Sequence, residues 1–176
     1  MKDKKVLKIL VPILIVLVIA AIGVGKNFYS TTDQDTSFEF EDENFALDAE
    51  SIDLDVLLSY NLPMMLDFGS VSCIPCKMMA SVLYNSNIAY QGKAIVKFVD
   101  VWEFPNGVGD FPVEIIPTQF FINADGSPYE PSFMIESELD FLYYYDDVTG
   151  ELLYTAHQGA ITQEQVDAIF AEMGVE

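Results

Sequence analysis

Two cysteines at the junction of a strand pattern and a helix pattern constrain this fold most strongly. The apolar run Met64 to Phe68 is short and contains one acid, which suits a strand covered on both faces. Gly69 to Ser72 then forms a turn, and a helical pattern starts at Cys73 and Cys76 and runs toward Tyr90. The chain is therefore expected to pass from a buried strand into a helix whose first turn carries both sulfurs.

Strand and helix patterns alternate along the rest of the chain. A helix is predicted at about 51–60, and strands are predicted over 94–101 and 118–122. A hairpin is expected around Gly150, and a final helix should start after Thr162. This order of elements predicts an α/β domain with a mixed central sheet flanked by helices.

An apolar segment near the N-terminus predicts a membrane anchor. Seventeen uncharged residues, 9–25, lie between Lys8 and Lys26, and as a helix they span about 26 Å, close to the thickness of a bilayer core. Four lysines precede the segment and one follows it. The positive-inside rule then places the basic tip, residues 1–8, in the cytoplasm and the rest of the chain outside. A cleaved signal peptide is the alternative.

The composition changes after the apolar segment. Residues 26–50 are polar and acidic, which is typical of a solvated tether. Beyond residue 26, three lysines stand against 27 acidic residues, a formal net charge of −24. Such a surface repels nucleic acid and anionic lipid headgroups, so binding to polyanions is excluded.

The spacing of Cys73 and Cys76 favours redox chemistry. Free amides and the dipole at a helix N-terminus stabilise a thiolate on the first cysteine, which can attack a disulfide while the second thiol resolves the mixed disulfide. A structural disulfide over so short a loop removes little chain entropy. Two cysteines and one histidine cannot complete a Cys₃His or Cys₄ zinc site. We expect no metal and no cofactor, and a pair that has lost its redox role stays an alternative.

Several motifs in combination resemble the thioredoxin family. They are Leu66-Asp67-Phe68, Cys73-x-Pro75-Cys76-Lys77-Met78, Ile116-Pro117-Thr118 and Gly159. The sequence is most similar to the membrane-tethered, extracytoplasmic thioredoxin-like proteins of bacteria. The resemblance implies a thioredoxin-like fold over residues 51–176, preceded by one transmembrane helix, with an insertion at about 127–149.

The resemblance also implies roles for individual residues. Cys73 corresponds to the attacking cysteine and Cys76 to the resolving one. Asp67 matches a buried acid that relays a proton for the resolving thiol, and burial of an acid raises its pKa. Pro117 matches a cis-proline packed against the disulfide. The residues expected to contact substrate are Ile74, Pro75, Ile116 and Thr118.

Further expectations concern residues around this centre. Lys97 on the next strand is a candidate partner for the buried Asp67. The aromatic residues 141–145 and the single Trp102 are expected to pack against the domain, and a platform for a partner is the alternative for 141–145. His157, the one histidine of the chain, is expected at the surface or at a strand end.

These inferences predict a thiol–disulfide oxidoreductase that reduces disulfides of exported proteins. The resemblance implies protein substrates and a transmembrane thiol transporter as electron donor. The protein is expected in the cell membrane, as a single-pass protein with its catalytic domain outside the cytoplasm. The alternatives are an oxidase or isomerase of exported proteins and a non-catalytic thioredoxin-fold binding module.

Overall fold

The computed structural model describes residues 42–176. The anchor predicted at 9–25 and most of the predicted tether lie outside the described residues. Between residues 42 and 176, no helix is both long and apolar enough to cross a membrane.

Five strands form one mixed sheet at the centre of the domain, in the order β2-β1-β3-β5-β4. The strands are β1 (Met64–Gly69), β2 (Ile95–Asp100), β3 (Thr118–Ile122), β4 (Phe141–Tyr145) and β5 (Leu152–Gln158). β1 and β2 are parallel, and the other neighbouring strands are antiparallel. The predicted α/β class and mixed sheet are therefore confirmed.

Within residues 42–176, four helices flank the sheet, and the chain also forms two short 3₁₀ turns. The helices are α1 (Leu54–Leu58), α2 (Ile74–Ala89), α3 (Phe133–Glu136) and α4 (Gln163–Glu172), and the 3₁₀ turns are Glu43–Phe45 and Pro105–Val108. α4 begins with a capping box in which Thr162 and Gln165 bond reciprocally, as the sequence predicts.

The sheet separates two apolar cores because alternate residues of each strand point to opposite faces. Met65, Val96 and Phe121 lie on the face that α2 and α4 cover. Leu66 and Phe120 lie on the other face, which α1 covers. Burial on both faces explains why β1, β2 and β3 are nearly continuous apolar runs.

The domain begins earlier than the boundary predicted at residue 51. Residues 42–49, the N-terminal strap, lie along the outer edge of β2. The Phe98 N–H donates to the Leu47 carbonyl at 2.8 Å, and the Ala49 N–H donates to the Phe98 carbonyl at 2.9 Å. The strap thus satisfies backbone groups that an edge strand leaves free, a long-range effect that the polar composition of this segment does not reveal.

Residues 127–149, where an insertion is predicted, pack against the domain. Tyr129, Ile135 and Leu139 are buried in the core beneath α4, and β4 pairs with β5. Gly150 has a φ of +73° in the hairpin between these strands, a conformation that favours glycine.

Trp102 does not pack as expected. It is 61% exposed and lies in the turn that follows β2.

Candidate active site

Cys73 and Cys76 form a disulfide at the N-terminus of α2, with their Cα atoms 5.2 Å apart. Cys73 is the N-cap residue, and the Cys76 N–H donates to the Cys73 sulfur at 3.4 Å. The same amide and the positive end of the helix stabilise a thiolate on Cys73 once the disulfide is reduced. Ile74 and Pro75 are exposed beside it. The pair is thus placed for attack by Cys73 and resolution by Cys76.

A loop before β3 lies against the disulfide. The peptide bond between Ile116 and Pro117 is cis, as the resemblance implies. The Cys73 sulfur lies 3.9 Å from the Ile116 carbonyl oxygen. The Gly159 N–H donates to the Pro117 carbonyl at 2.9 Å and ties this loop to the end of β5. The Ile116 backbone is therefore positioned beside the sulfur that a substrate would approach.

Thr118 supports this loop from inside the domain. Its hydroxyl donates to the Ile115 carbonyl at 2.6 Å, and its side chain is fully buried. The position does not fit the predicted contact between Thr118 and substrate, because the first residue of β3 points into the core. Exposed apolar side chains occur instead in the segments next to the disulfide: Val71 and Ile74 flank Cys73 in the chain, and Ile115 precedes Ile116.

Asp67 is buried in β1, with 1% of its surface exposed. Burial raises its pKa to about 7, and a hydrogen bond from Gln119 (Nε2 to Oδ1, 2.7 Å) partly opposes this shift. Its other oxygen, Oδ2, has no hydrogen-bond partner among the described residues. A carboxyl that titrates near neutral pH suits proton transfer.

Gly69 leaves open the space between this acid and the resolving cysteine. A β-carbon at Gly69 would lie 3.3 Å from Asp67 Oδ2 and 3.4 Å from the Cys76 β-carbon. Both groups therefore border the same side of Gly69, as the proton relay requires.

Lys97 does not pair with Asp67. It lies opposite Leu66 in the β1–β2 register, whereas Asp67 lies opposite Phe98. Since successive side chains alternate between faces, Lys97 points away from the acid. Its Nζ donates to the carbonyls of Glu43 and Ala46 in the strap. The expectation that Lys97 is the partner of Asp67 is therefore wrong.

His157 lies near the end of β5, one of the two expected places, but it is buried and not at the surface. Only 7% of it is exposed, and its Nδ1 lies 2.9 Å from Oε1 of Gln119. Sequence reasoning missed both residues. The signal for Gln119 is a polar residue inside the apolar run 118–122, which predicts a buried hydrogen bond. A lone histidine carries no comparable local signal.

Asp100 holds the turn that leads to Cys73, and sequence reasoning missed it too. Its Oδ2 accepts from the Val71 N–H at 2.9 Å and from the Ser70 hydroxyl at 3.2 Å, and its Oδ1 accepts from the Trp102 N–H at 3.0 Å. Burial alone raises the pKa of Asp100, but these bonds outweigh it and lower the pKa. An acid at the carboxyl end of a parallel strand is the signal that could have identified it.

Metal ligands are not gathered in this part of the chain. Among residues 42–176, no group of three or more His, Cys, Asp or Glu side chains is placed to hold a metal ion.

Comparison with known proteins gives consistent matches. The thioredoxin family model matches residues 45–137. Thioredoxin 2 of Chlorobaculum tepidum is 34% identical over 87 residues, which is 49% of this chain and 72% of that protein. A thioredoxin of Staphylococcus aureus is 38% identical over 66 residues, 38% of this chain and 62% of that protein. A crystal structure of chloroplastic thioredoxin z covers 73% of this chain and 93% of its own, with 19% identity and a TM-score of 0.49.

Together, the redox pair, the family model and the sequence relatives define an enzyme that exchanges thiols and disulfides. The chain belongs to the thioredoxin family. The predicted thiol–disulfide oxidoreductase activity is confirmed, whereas the roles of the individual residues around Cys73 and Cys76 stay predictions.

Proposed function

We propose that this enzyme reduces disulfide bonds of exported proteins while residues 9–25 hold it at the membrane. The observation that carries the reducing step is the buried Asp67 beside Cys76. Reduction is complete only when the resolving thiol loses its proton, and this acid is placed to accept it. The apolar segment between Lys8 and Lys26 supports the membrane location, because a tether keeps the domain close to a membrane-bound donor.

The reaction transfers two electrons from the dithiol to the substrate. The Cys73 thiolate attacks one sulfur of the substrate disulfide, which forms a mixed disulfide and releases the first substrate thiolate. Asp67 takes the proton of Cys76, and the new thiolate attacks the Cys73 sulfur. The Cys73–Cys76 disulfide forms, and the second substrate thiolate leaves and is protonated.

The oxidised enzyme must then recover two electrons from another dithiol. We propose a transmembrane thiol transporter as this donor, which would exchange disulfides with Cys73 in the reverse of the steps above. The exposed Ile74 and Pro75 between the two cysteines offer a surface that such a partner can contact.

An insulin reduction assay with dithiothreitol as donor tests the activity. Wild-type protein should accelerate precipitation of the reduced insulin chains, and Cys73→Ser should not, because it lacks the attacking sulfur. Equal behaviour of the two proteins would favour a non-catalytic binding module.

The direction of the reaction, reduction or oxidation of substrates, is tested by measuring the redox potential of the Cys73–Cys76 pair. A value of about −120 mV, typical of a strong oxidant, would favour an oxidase or isomerase.

Trapping identifies the substrates. In Cys76→Ser the mixed disulfide cannot be resolved, so exported proteins should accumulate on Cys73. The control is the double variant with Ser at both positions, which cannot form the mixed disulfide. Capture of cytoplasmic proteins alone from intact cells would contradict a role with exported proteins.

Location is tested on the full chain in its host cells. We expect the protein to stay with membranes after alkaline extraction, and an added protease to degrade the domain in spheroplasts while a cytoplasmic marker survives. Release of a shortened chain would indicate a cleaved signal peptide, and protection from the protease would place the domain in the cytoplasm.

A further inference from the structure

We propose that Gln119 and His157 are positioning residues of the redox centre, which orient the Asp67 carboxyl so that Oδ2 accepts the proton of Cys76. This inference deepens the proposed function and rests on it. Its evidence is a row of three polar side chains that crosses the sheet.

The three residues occupy matching positions on neighbouring strands. Asp67 of β1 lies opposite Gln119 of β3, and Gln119 lies opposite His157 of β5. Residues directly opposite each other in antiparallel strands point to the same face, with β-carbons about 5 Å apart. The register alone therefore brings the three side chains into contact on the face that α2 and α4 cover.

Hydrogen bonds connect the row in one direction. The Gln119 Nε2 donates to Asp67 Oδ1 at 2.7 Å, so the amide oxygen Oε1 points toward His157. Oε1 can only accept, which assigns the hydrogen of the 2.9 Å contact to His157 Nδ1. His157 thereby fixes the orientation of the amide, and the amide occupies Oδ1. The position left for a transferable proton is Oδ2, which borders the space beside Cys76.

The row is enclosed by apolar side chains. Phe98 lies opposite Asp67 at one end of the row. Phe141 lies opposite His157 at the other end, and the centroids of these two rings are 6.3 Å apart. Gln119 is fully buried. Hydrogen bonds in such surroundings are strong and hold a single geometry, because solvent does not compete for them.

The surroundings of His157 favour the neutral form of its imidazole. Burial lowers the pKa of His157, and the charge of Asp140 partly opposes that shift. Asp67 borders the space beside Cys76 on one side and contacts the Gln119 amide on the other, while Lys97 lies on the opposite face of the sheet. A neutral His157 with its hydrogen on Nδ1 is the form that the row requires.

The test is a pH titration of Asp67 in the oxidised protein, in which carbon NMR monitors the carboxyl group. Gln119→Leu removes the donor to Oδ1, so the midpoint should rise by about one pH unit, since a hydrogen bond to a charged group changes such an equilibrium about tenfold. His157→Leu frees the amide and should raise the midpoint by about half a unit. His157→Gln keeps a donor for Oε1 and should restore the wild-type value.

Thr155→Val is the matched control. Thr155 lies on β5 two residues before His157, points to the same face and is fully buried, and its hydroxyl has no partner among the described residues. This variant should titrate like wild type at Asp67. A shift as large as that of Gln119→Leu would show that any change on this face moves the midpoint, and would overturn the proposal.

A second readout follows the reaction itself. The reduced protein is mixed with a disulfide substrate, and the rate at which Cys76 resolves the mixed disulfide is measured against pH. The pH of half-maximal rate should rise in Gln119→Leu, as the Asp67 midpoint does. Unchanged profiles in an enzyme that still reduces insulin would reject the role of Gln119 and leave the proposed function intact. Failure of wild type to reduce insulin would reject the proposed function, while the titration would still report on the row.

Discussion

Asp67 has a cost for folding that depends on pH. The pKa of its carboxyl is raised by burial to about 7 in the folded protein, against 3.8 in the unfolded chain. Between these values, the unfolded chain has released a proton that the folded protein keeps. The folded state therefore binds more protons, so this group lowers the free energy of unfolding as pH rises from about 4 to about 7. Below that window the cost is absent, and above it the cost is complete.

Asp67→Asn should remove this dependence. At pH 8 the oxidised variant is expected to be more stable than wild type by up to about 4 kcal/mol, and at pH 4 the two should agree to within about 1 kcal/mol. Urea unfolding at pH 4, 6 and 8 measures the difference. Asp147→Asn, an exposed position in the β4–β5 hairpin, serves as the control and should change little. A gain for Asp67→Asn that is the same at every pH would mean that the acid is not the cause.

The sequence predicts some residues of the redox centre and not others, because local patterns do not report contacts between distant parts of the chain. The burial of Asp67 and the position of Cys73 follow from local patterns, an apolar strand and a helix start. The partner of Asp67 does not, because a one-residue offset in strand register sends Lys97 to the opposite face. His157 meets Gln119 across 38 residues of chain, and no local pattern reports that contact.

Among the elements, α4 shows how a helix start can be tested on its own. The Thr162 hydroxyl accepts from the Gln165 N–H, and the Gln165 side chain accepts from the Thr162 N–H. This box starts the helix that places Val166, Ile169 and Phe170 in the core over the Asp67 face of the sheet. The cap therefore stabilises the helical layer that covers Asp67, Gln119 and His157.

Thr162→Ala should lower the free energy of unfolding by about 1 kcal/mol, because it leaves a helix N-terminal amide without its acceptor. Thr162→Ser keeps the oxygen and should stay close to wild type. Thermal and urea unfolding measure both. Since the site is exposed, a large loss in the serine variant would point to packing of the threonine methyl group rather than to capping.

Elements with a clear period or a capping signal are predictable from the sequence, and those formed by distant contacts are not. The pattern around Cys73 predicts β1 and α2, and the capping box predicts α4. The tether predicted at 26–50 includes the N-terminal strap because that segment as a whole is polar and acidic. The structure of the strap depends on the free edge of β2, which lies about 50 residues further along the chain.

At the scale of the whole molecule, acidic charge should select among substrates. Three lysines against 27 acids beyond residue 26 give this part of the chain a strongly negative net charge, which attracts cationic substrates over a distance set by salt. Two model disulfide peptides of equal length, one rich in Lys and one rich in Glu, measure its effect. The basic peptide should be reduced about tenfold faster at about 10 mM salt, and the two rates should converge at about 0.5 M. A ratio that does not respond to salt would show that local contacts decide the preference.

The N-terminal strap also determines how the molecule can associate with extended chains. Leu47 and Ala49 already occupy backbone groups of Phe98 on β2, so a sixth strand cannot add there without first displacing them. β4 forms the opposite margin of the sheet, and its Leu142 and Tyr145 are exposed. Strand addition by an extended chain is thus directed to the β4 side of the sheet.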